Sequence, residues 1–288
     1  MRLRDVGPLL NTTFTSWLDD YAPSMGAALA YYTMFSIAPL LLIVISLAGL
    51  VFGADAVRGE IVGQLSGMMG EAGARAIEGL LKSVSDPSDN IPATLLGLVL
   101  LLIGATTVFG ELQDALNRIW RVPPRKVRSG LLEVLRTRLL SFGMILGIGF
   151  LLMISLVLSA ALTALSRWWG PLFAQWETLA SLVDLLLGLG MSTAVFALIY
   201  KLIPRMQVGW RDVLIGAVVT AFMFTLGKYL IGLYIGTSGV SSAFGAAGSL
   251  VVVLVWVYYS AQIFLLGAEF TWAYANAWGS LRAPAKTA

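Results

Sequence analysis

Apolar residues along the 288-residue chain gather into six runs of about 20 or more, at 27–52, 91–110, 139–165, 179–203, 213–235 and 247–270. An α-helix rises about 1.5 Å per residue, so about 20 apolar residues cross a hydrocarbon core of about 30 Å while satisfying every backbone amide internally. The pattern predicts an all-α, polytopic membrane protein with six transmembrane helices. The polar gaps carry helical periodicity of their own. Val6, Leu9, Leu10, Thr13, Phe14, Trp17 and Leu18 recur at three- and four-residue spacing and predict an amphipathic arm lying on the membrane surface. Within 53–90, Ile61, Leu65, Met68 and Met69, then Ile77, Leu80, Leu81 and Val84, repeat the pattern on either side of Gly70 and Gly73, and predict an outer helical hairpin. After the second run, Leu112, Ala115, Leu116, Ile119 and Trp120 form one face of a helix that Pro123 and Pro124 should stop, and Leu131, Leu132, Leu135 and Leu139 lead back into the third run. These extensions divide the chain into an arm (1–24), a six-span domain (25–275) and a tail (276–288).

Charge sets the expected sidedness. Of the 19 Lys and Arg residues, fourteen lie in the N-terminal arm, 111–138, 201–212 and the tail, and four lie in the alternate gaps. Under the positive-inside rule both termini are cytoplasmic. Trp120, Trp210, Trp272 and Trp278 would then mark the inner interface, and Trp168, Trp169 and Trp176 the outer one. The first apolar run starts too far into the chain and is too long for a cleavable signal, so it reads as a retained anchor. At 58% hydrophobic and 12% charged, against about 25% charged in soluble domains, the composition fits membrane lipids as partners. The net charge of +3 sits in juxtamembrane gaps facing anionic headgroups, so no nucleic-acid partner is expected. The chain has no Cys and no His, which removes disulfides, thiol catalysis, the usual proton shuttle and the common metal ligands. No enzyme activity, cofactor or metal is expected, and the absence of a G-x-x-x-x-G-K-[ST] loop argues against an ATP-driven pump.

Ionisable groups inside spans need a partner or an aqueous cavity, because each costs about 2.5–3.5 kcal/mol at the bilayer centre. Asp184, Lys228 and Glu269 are such groups. If the fourth and fifth spans pack antiparallel, Asp184 and Lys228 differ in depth by roughly 6 Å, which a lysine stem bridges; otherwise Lys228 snorkels alone and Asp184 sits at headgroup level. Glu269 falls at the cytoplasmic edge within reach of Arg118, Lys201 or Arg136 and Arg138, as a structural clamp or as a gate or proton site. With Gln262, Tyr31, Tyr32, Tyr258 and Tyr259 these residues compose a candidate polar track, although tyrosines also serve as packing. Pro39, mid-span, frees the carbonyl of Phe35 and predicts a kink. Arg118, Arg121, Arg125, Arg136 and Arg138 read as topology determinants and candidate anionic-headgroup contacts, and Gly143-x-x-x-Gly147 as a close-packing notch.

Four stretches, AALAYYTMFSIAPLLL, ELQDALNRIWRV, FTLGKYLIGLYI and SSAFGAAGSLVVVLVWVYYSAQIFLLGAEFTWAYA, resemble the YihY/BrkB family of bacterial inner-membrane proteins, formerly labelled ribonuclease BN. The resemblance implies a six-span protein of the cytoplasmic membrane, with virulence attached to one branch and envelope-lipid export to another, and brings no catalytic motif. Two functions follow as expectations: export of an envelope lipid or other amphipathic anionic substrate, or a scaffold or regulatory role in envelope assembly or virulence. A nuclease would need clustered carboxylates or a histidine beside a nucleophile, and the chain offers only Glu111 and Asp114 among arginines.

Overall fold

The computed structural model describes residues 6–85, 107–123, 176–206, 208–237 and 248–282, and every regular element among them is an α-helix. These are α1 (Val6–Asp19), α2 (Ala22–Phe52) and α3 (Ala54–Ser85), then α4 (107–119), then α5 (Trp176–Leu202), α6 (Trp210–Thr237) and α7 (Gly248–Ala277). Three of them are long and apolar enough to cross a membrane, over Leu185–Leu202, Trp210–Ile235 and Leu250–Ala277. They match the fourth, fifth and sixth apolar runs, and α2 matches the first. The second run, apart from its last residues in α4, and the third run lie outside the described residues, as do the return helix at 131–139 and Gly143-x-x-x-Gly147.

The way α6 distributes its side chains follows from having lipid as its surroundings. Leu214, Val218, Phe222, Leu226, Leu230 and Leu233 are exposed along one continuous stripe, while Val213, Gly216, Ala217, Thr220, Ala221 and Gly227 are buried. Large residues face out and small ones face in, because helices in hydrocarbon associate by close van der Waals contact rather than by burying apolar surface. The partner is α7, which also packs against α1, α2 and α3. A Cβ on Gly216 would meet the Thr271 side chain, one on Gly267 would meet Thr220, and one on Gly227 would meet Ile263 and Tyr259. Pairs running in opposite order make α6 and α7 antiparallel. The α5 helix packs on α6, with Phe196 edge-on to Phe224 at 5.6 Å between centroids.

Two corners fold the first helices onto this pair. Between α1 and α2, Tyr21 adopts the left-handed conformation (φ 57°). Its N–H donates to the Leu18 carbonyl at 3.0 Å, and its own carbonyl accepts from Ser24 and Met25 at 3.0 and 3.1 Å, so one residue ends one helix and begins the next. Pro23 follows in the first turn of α2, where a missing N–H costs nothing. The face of α1 divides in two: Leu9, Thr13 and Ser16 are buried, Leu9 against Phe270 and Ala273 of α7, whereas Leu10, Phe14 and Leu18 stay exposed. The arm is therefore an amphipathic helix docked on the bundle. Pro39 lies within α2, which continues as one helix to Phe52.

The second corner corrects an expectation. Gly53 (φ 86°) turns the chain after α2, and α3 then runs as one 32-residue helix packed against α2, α6 and α7; the hairpin expected over 53–90 does not form within 54–85. Gly70 and Gly73 lie within the helix without breaking it, because apolar residues on both sides of them are held by the same packing. Val57, Ile61, Leu65, Ile77 and Leu81 are spaced by multiples of four and share one cluster with Ile45 and Val253. Helical glycine costs only about 1 kcal/mol against alanine, less than that packing returns.

Gly216→Val should lower stability by about 1–3 kcal/mol by overpacking the α6–α7 contact, measured as thermal unfolding in detergent. Gly232→Val, where an added Cβ meets nothing within 4 Å, should leave the transition in place.

Candidate functional site

The site forms where α4 ends against the α1–α2 corner and the last turns of α7. The face read from the sequence is the one that packs: Ala115, Leu116, Ile119 and Trp120 are buried. Polar contacts fix the register, since Gln113 Nε2 donates to the Ile203 carbonyl at 3.1 Å and Asn117 Oδ1 accepts from the Arg205 N–H at 3.0 Å. The helix closes with Val122 N–H on the Asn117 carbonyl and Arg121 N–H on the Arg118 carbonyl, both at 2.9 Å, and with Arg121 left-handed (φ 52°). This is a Schellman cap, whose left-handed position normally holds glycine.

With the apolar face docked, Arg118 and Arg121 face outward, each over an aromatic ring. The Arg118 guanidinium lies 5.3 Å from the centre of Tyr21, and that of Arg121 lies 4.0 Å from the centre of Trp272. Exposed cation–π contacts of this kind contribute about 0.5–1 kcal/mol each. Tyr21 and Arg121 are also the two non-glycine residues with positive φ among the described residues. Strained backbone of this sort gathers where the surrounding structure over-determines a functional geometry.

Behind this surface, one turn before Trp272, Glu269 is 0% exposed. Neither of its carboxylate oxygens has a hydrogen-bond partner, and neither does the buried Asp20 Oδ2. The charged groups that act on Glu269 are Asp20, in side-chain contact, and Arg121. Two carboxylates are both acceptors, so this contact becomes a hydrogen bond only with a proton on one of them. Of the cations expected to reach Glu269, Arg118 is over Tyr21, and Lys201 donates to the Val208 carbonyl at 2.5 Å with Trp210 at 5.5 Å. Arg136 and Arg138 lie outside the described residues, as does Arg125.

The other candidates are distributed along the bundle rather than gathered. Gln262, about two turns above Glu269 on α7, donates to the Pro23 carbonyl at 3.4 Å, fills the space over Gly26 and leaves its Oε1 without a partner. Tyr31 is exposed and packs edge-on against Tyr32 and Phe35 at 5.5 and 5.0 Å, Tyr258 is exposed, and Tyr259 is next to Gly227. Lys228 is half-buried on α6; its pairing with Asp184 falls on a side chain outside the described set. Among the described residues no group of three or more Asp and Glu could hold a metal ion.

A polar seam that sequence reasoning missed joins α5, α6 and α7. The Tyr200 hydroxyl donates to the Phe264 carbonyl at 2.7 Å and lies 3.1 Å from the Thr220 hydroxyl, which donates to the Gly216 carbonyl at 2.7 Å. Thr271 bonds in the same way to Gly267 at 2.7 Å. The signal was present as two matched motifs, Gly216-x-x-x-Thr220 and Gly267-x-x-x-Thr271. Asp20 had no such signal: it stands in a short polar link, 249 positions before its partner in the chain.

The sequence profile of a family described as "Virulence factor BrkB" matches residues 13–288. A "UPF0761 membrane protein" of Pseudomonas aeruginosa (strain LESB58) is 32% identical over 256 residues, covering 88% of this chain and 59% of that protein. One from Azotobacter vinelandii is 29% identical over 260 residues, covering 89% and 60%, and one from Acinetobacter baylyi is 26% identical over 249 residues, covering 85% and 57%. The chain thus spans about three-fifths of the length of these relatives. No solved structure matches it.

Tyr200→Phe should cost about 0.6–1.7 kcal/mol, the range for hydrogen bonds between membrane helices, when unfolding is followed in mixed micelles. Combined with Thr220→Val it should cost less than the two single losses added, since both remove the same contact.

Proposed function

The chain belongs to the BrkB family of membrane proteins, and on that premise we propose that it moves an amphipathic, anionic envelope lipid across the bacterial cytoplasmic membrane. In this reading the end bearing α1, α4 and the close of α7 faces the cytoplasm, as the distribution of Lys and Arg implies. The observation that carries the reading is the pair of outward guanidiniums, Arg118 and Arg121, held on aromatic rings directly before the buried Glu269. A guanidinium presents a planar fork of donors matched to phosphate oxygens, and the aromatic ring keeps that fork orientated while it waits. An anionic headgroup would be received there while its acyl chains remain in hydrocarbon, so only the polar part needs a protein-lined path. Gln262, on the same helix about two turns further in, is the next polar group along α7.

The test is lipid translocation by the purified chain in liposomes carrying a trace of fluorescent phosphatidylglycerol, with dithionite quenching of the outer leaflet. The full chain should move the probe faster than protein-free liposomes do. Each arginine removed forfeits charge-assisted hydrogen bonds of about 1.5–3 kcal/mol, so Arg118→Ala with Arg121→Ala should slow movement by about tenfold or more, and zwitterionic phosphatidylcholine should be moved far less than the anionic probe. Movement no faster than in empty liposomes, or undiminished in the double variant, would overturn the proposal.

A further inference from the structure

The carboxyls behind the arginines carry an inference that rests on the transport reading and deepens it. Glu269 is fully buried, both its oxygens and Asp20 Oδ2 lack a donor, and the two side chains are in contact. From the elements packed around this turn, the charged groups facing Glu269 are Asp20 at the α1–α2 corner and Arg121 after α4. The nearby titratable hydroxyl from α5, Tyr200, is committed to the Phe264 carbonyl, and α6 presents Gly216 and Thr220 to the neighbouring residues of α7. Two ionised carboxyls beside one guanidinium leave one negative charge uncompensated in a site where such a charge is expensive. One proton closes both accounts: it makes the group neutral and turns an acceptor–acceptor contact into a hydrogen bond. A metal cation fits less well, since it calls for more oxygen ligands than two carboxyls supply, and none of the described residues completes a set of three.

We infer that Asp20 and Glu269 hold a single exchangeable proton between them, and that its uptake and release is the step coupled to lipid movement. Uptake converts one carboxylate to the neutral acid with a proton from water at the α1 end, and release returns that proton to water and leaves the anion. The anion has one cation to turn to, the Arg121 guanidinium exposed on Trp272. A phosphate headgroup drawing Arg121 away would remove the cation beside the pair and favour proton uptake, so arrival of substrate and binding of the proton are linked through one side chain.

The experiment is infrared difference spectroscopy of the full chain in liposomes across a pH titration, alongside the fluorescent phosphatidylglycerol assay run with and without a pH gradient. The wild type should show a protonated-carboxyl C=O band that disappears as pH rises, and its lipid movement should change several-fold with the gradient. Glu269→Gln supplies an N–H to Asp20 in place of the proton; the band should be lost and movement should become indifferent to the gradient. Asp20→Asn keeps the shape of the corner and should move the midpoint of the band without abolishing it, which retains a readout if Glu269→Gln folds poorly. A wild type without a titrating band, or the same band in Glu269→Gln and an unmoved midpoint in Asp20→Asn, overturns the shared proton. Lipid movement with no band and no gradient dependence overturns it while transport stands; a band that behaves as expected with no lipid movement upholds the shared proton and removes the transport reading.

Discussion

The close approach of α6 and α7 is the constraint on which the other contacts depend. Lipid tails are as apolar as the side chains they surround, so two helices gain little by hiding leucine from them, and what holds the pair is contact between backbones that small residues bring together. Here Gly216 receives Thr271 and Gly267 receives Thr220. Each threonine hydroxyl is satisfied on its own helix, Thr220 donating to the Gly216 carbonyl and Thr271 to the Gly267 carbonyl, so neither hydroxyl is stranded in the contact. Because α7 also packs on α1, α2 and α3, its rotation about its own axis decides what each of them meets. Turned as it is, α7 offers Phe270 and Ala273 to α1, Gln262 to the start of α2 and Trp272 to Arg121.

The strained residues at the far end of that chain of contacts become intelligible in the same terms. A left-handed L-residue costs about 1–2 kcal/mol, and both Tyr21 and Arg121 accept that cost. Each is held by hydrogen bonds from both sides: Tyr21 between the carbonyl of Leu18 and the amides of Ser24 and Met25, and Arg121 within a cap closed by Val122 on Asn117. A glycine would fit either backbone with less strain, but it would remove the ring on which Arg118 rests or the guanidinium that rests on Trp272. The geometry gives up some stability at two sharp turns and places two cations side by side.

Much of this was legible in the residues and some was not, for reasons that can be named. Helix α4 was read with its buried face correct because its apolar and charged positions alternate with a clean 3.6-residue period and end at Pro123. The last three runs were read correctly because length and apolarity alone set them. The hairpin does not form because a helical glycine costs only about 1 kcal/mol against alanine, while Leu65 before the pair and Ile77 after it are both held in one cluster with Ile45 and Val253. Glu269 could be picked out as a charge within a span, but its neighbours could not, because depth along a helix says nothing about which face meets which corner. Asp20 and Arg121 come to it from segments 249 and 148 positions away, and only the packing of α1 and α2 on α7 unites them.

Glu269 occupies a place where packing alone would favour a different residue. Its neighbours along the buried face of α7, Leu265, Ala268 and Ala275, are 0% exposed and apolar, and a well-packed hydrophobic residue commonly serves stability at least as well as a buried ion pair. A carboxyl there adds a desolvation cost, and the Asp20 carboxyl beside it adds repulsion whenever both are charged. Neither cost is offset by a hydrogen bond from any described side chain. In the proposed reading, what the pair offers in return is a site whose charge changes by one unit when a proton comes or goes, set behind two guanidiniums suited to phosphate. A helix that served only to hold its neighbours would have no use for that property; one that lies at the centre of a path for an anionic lipid would.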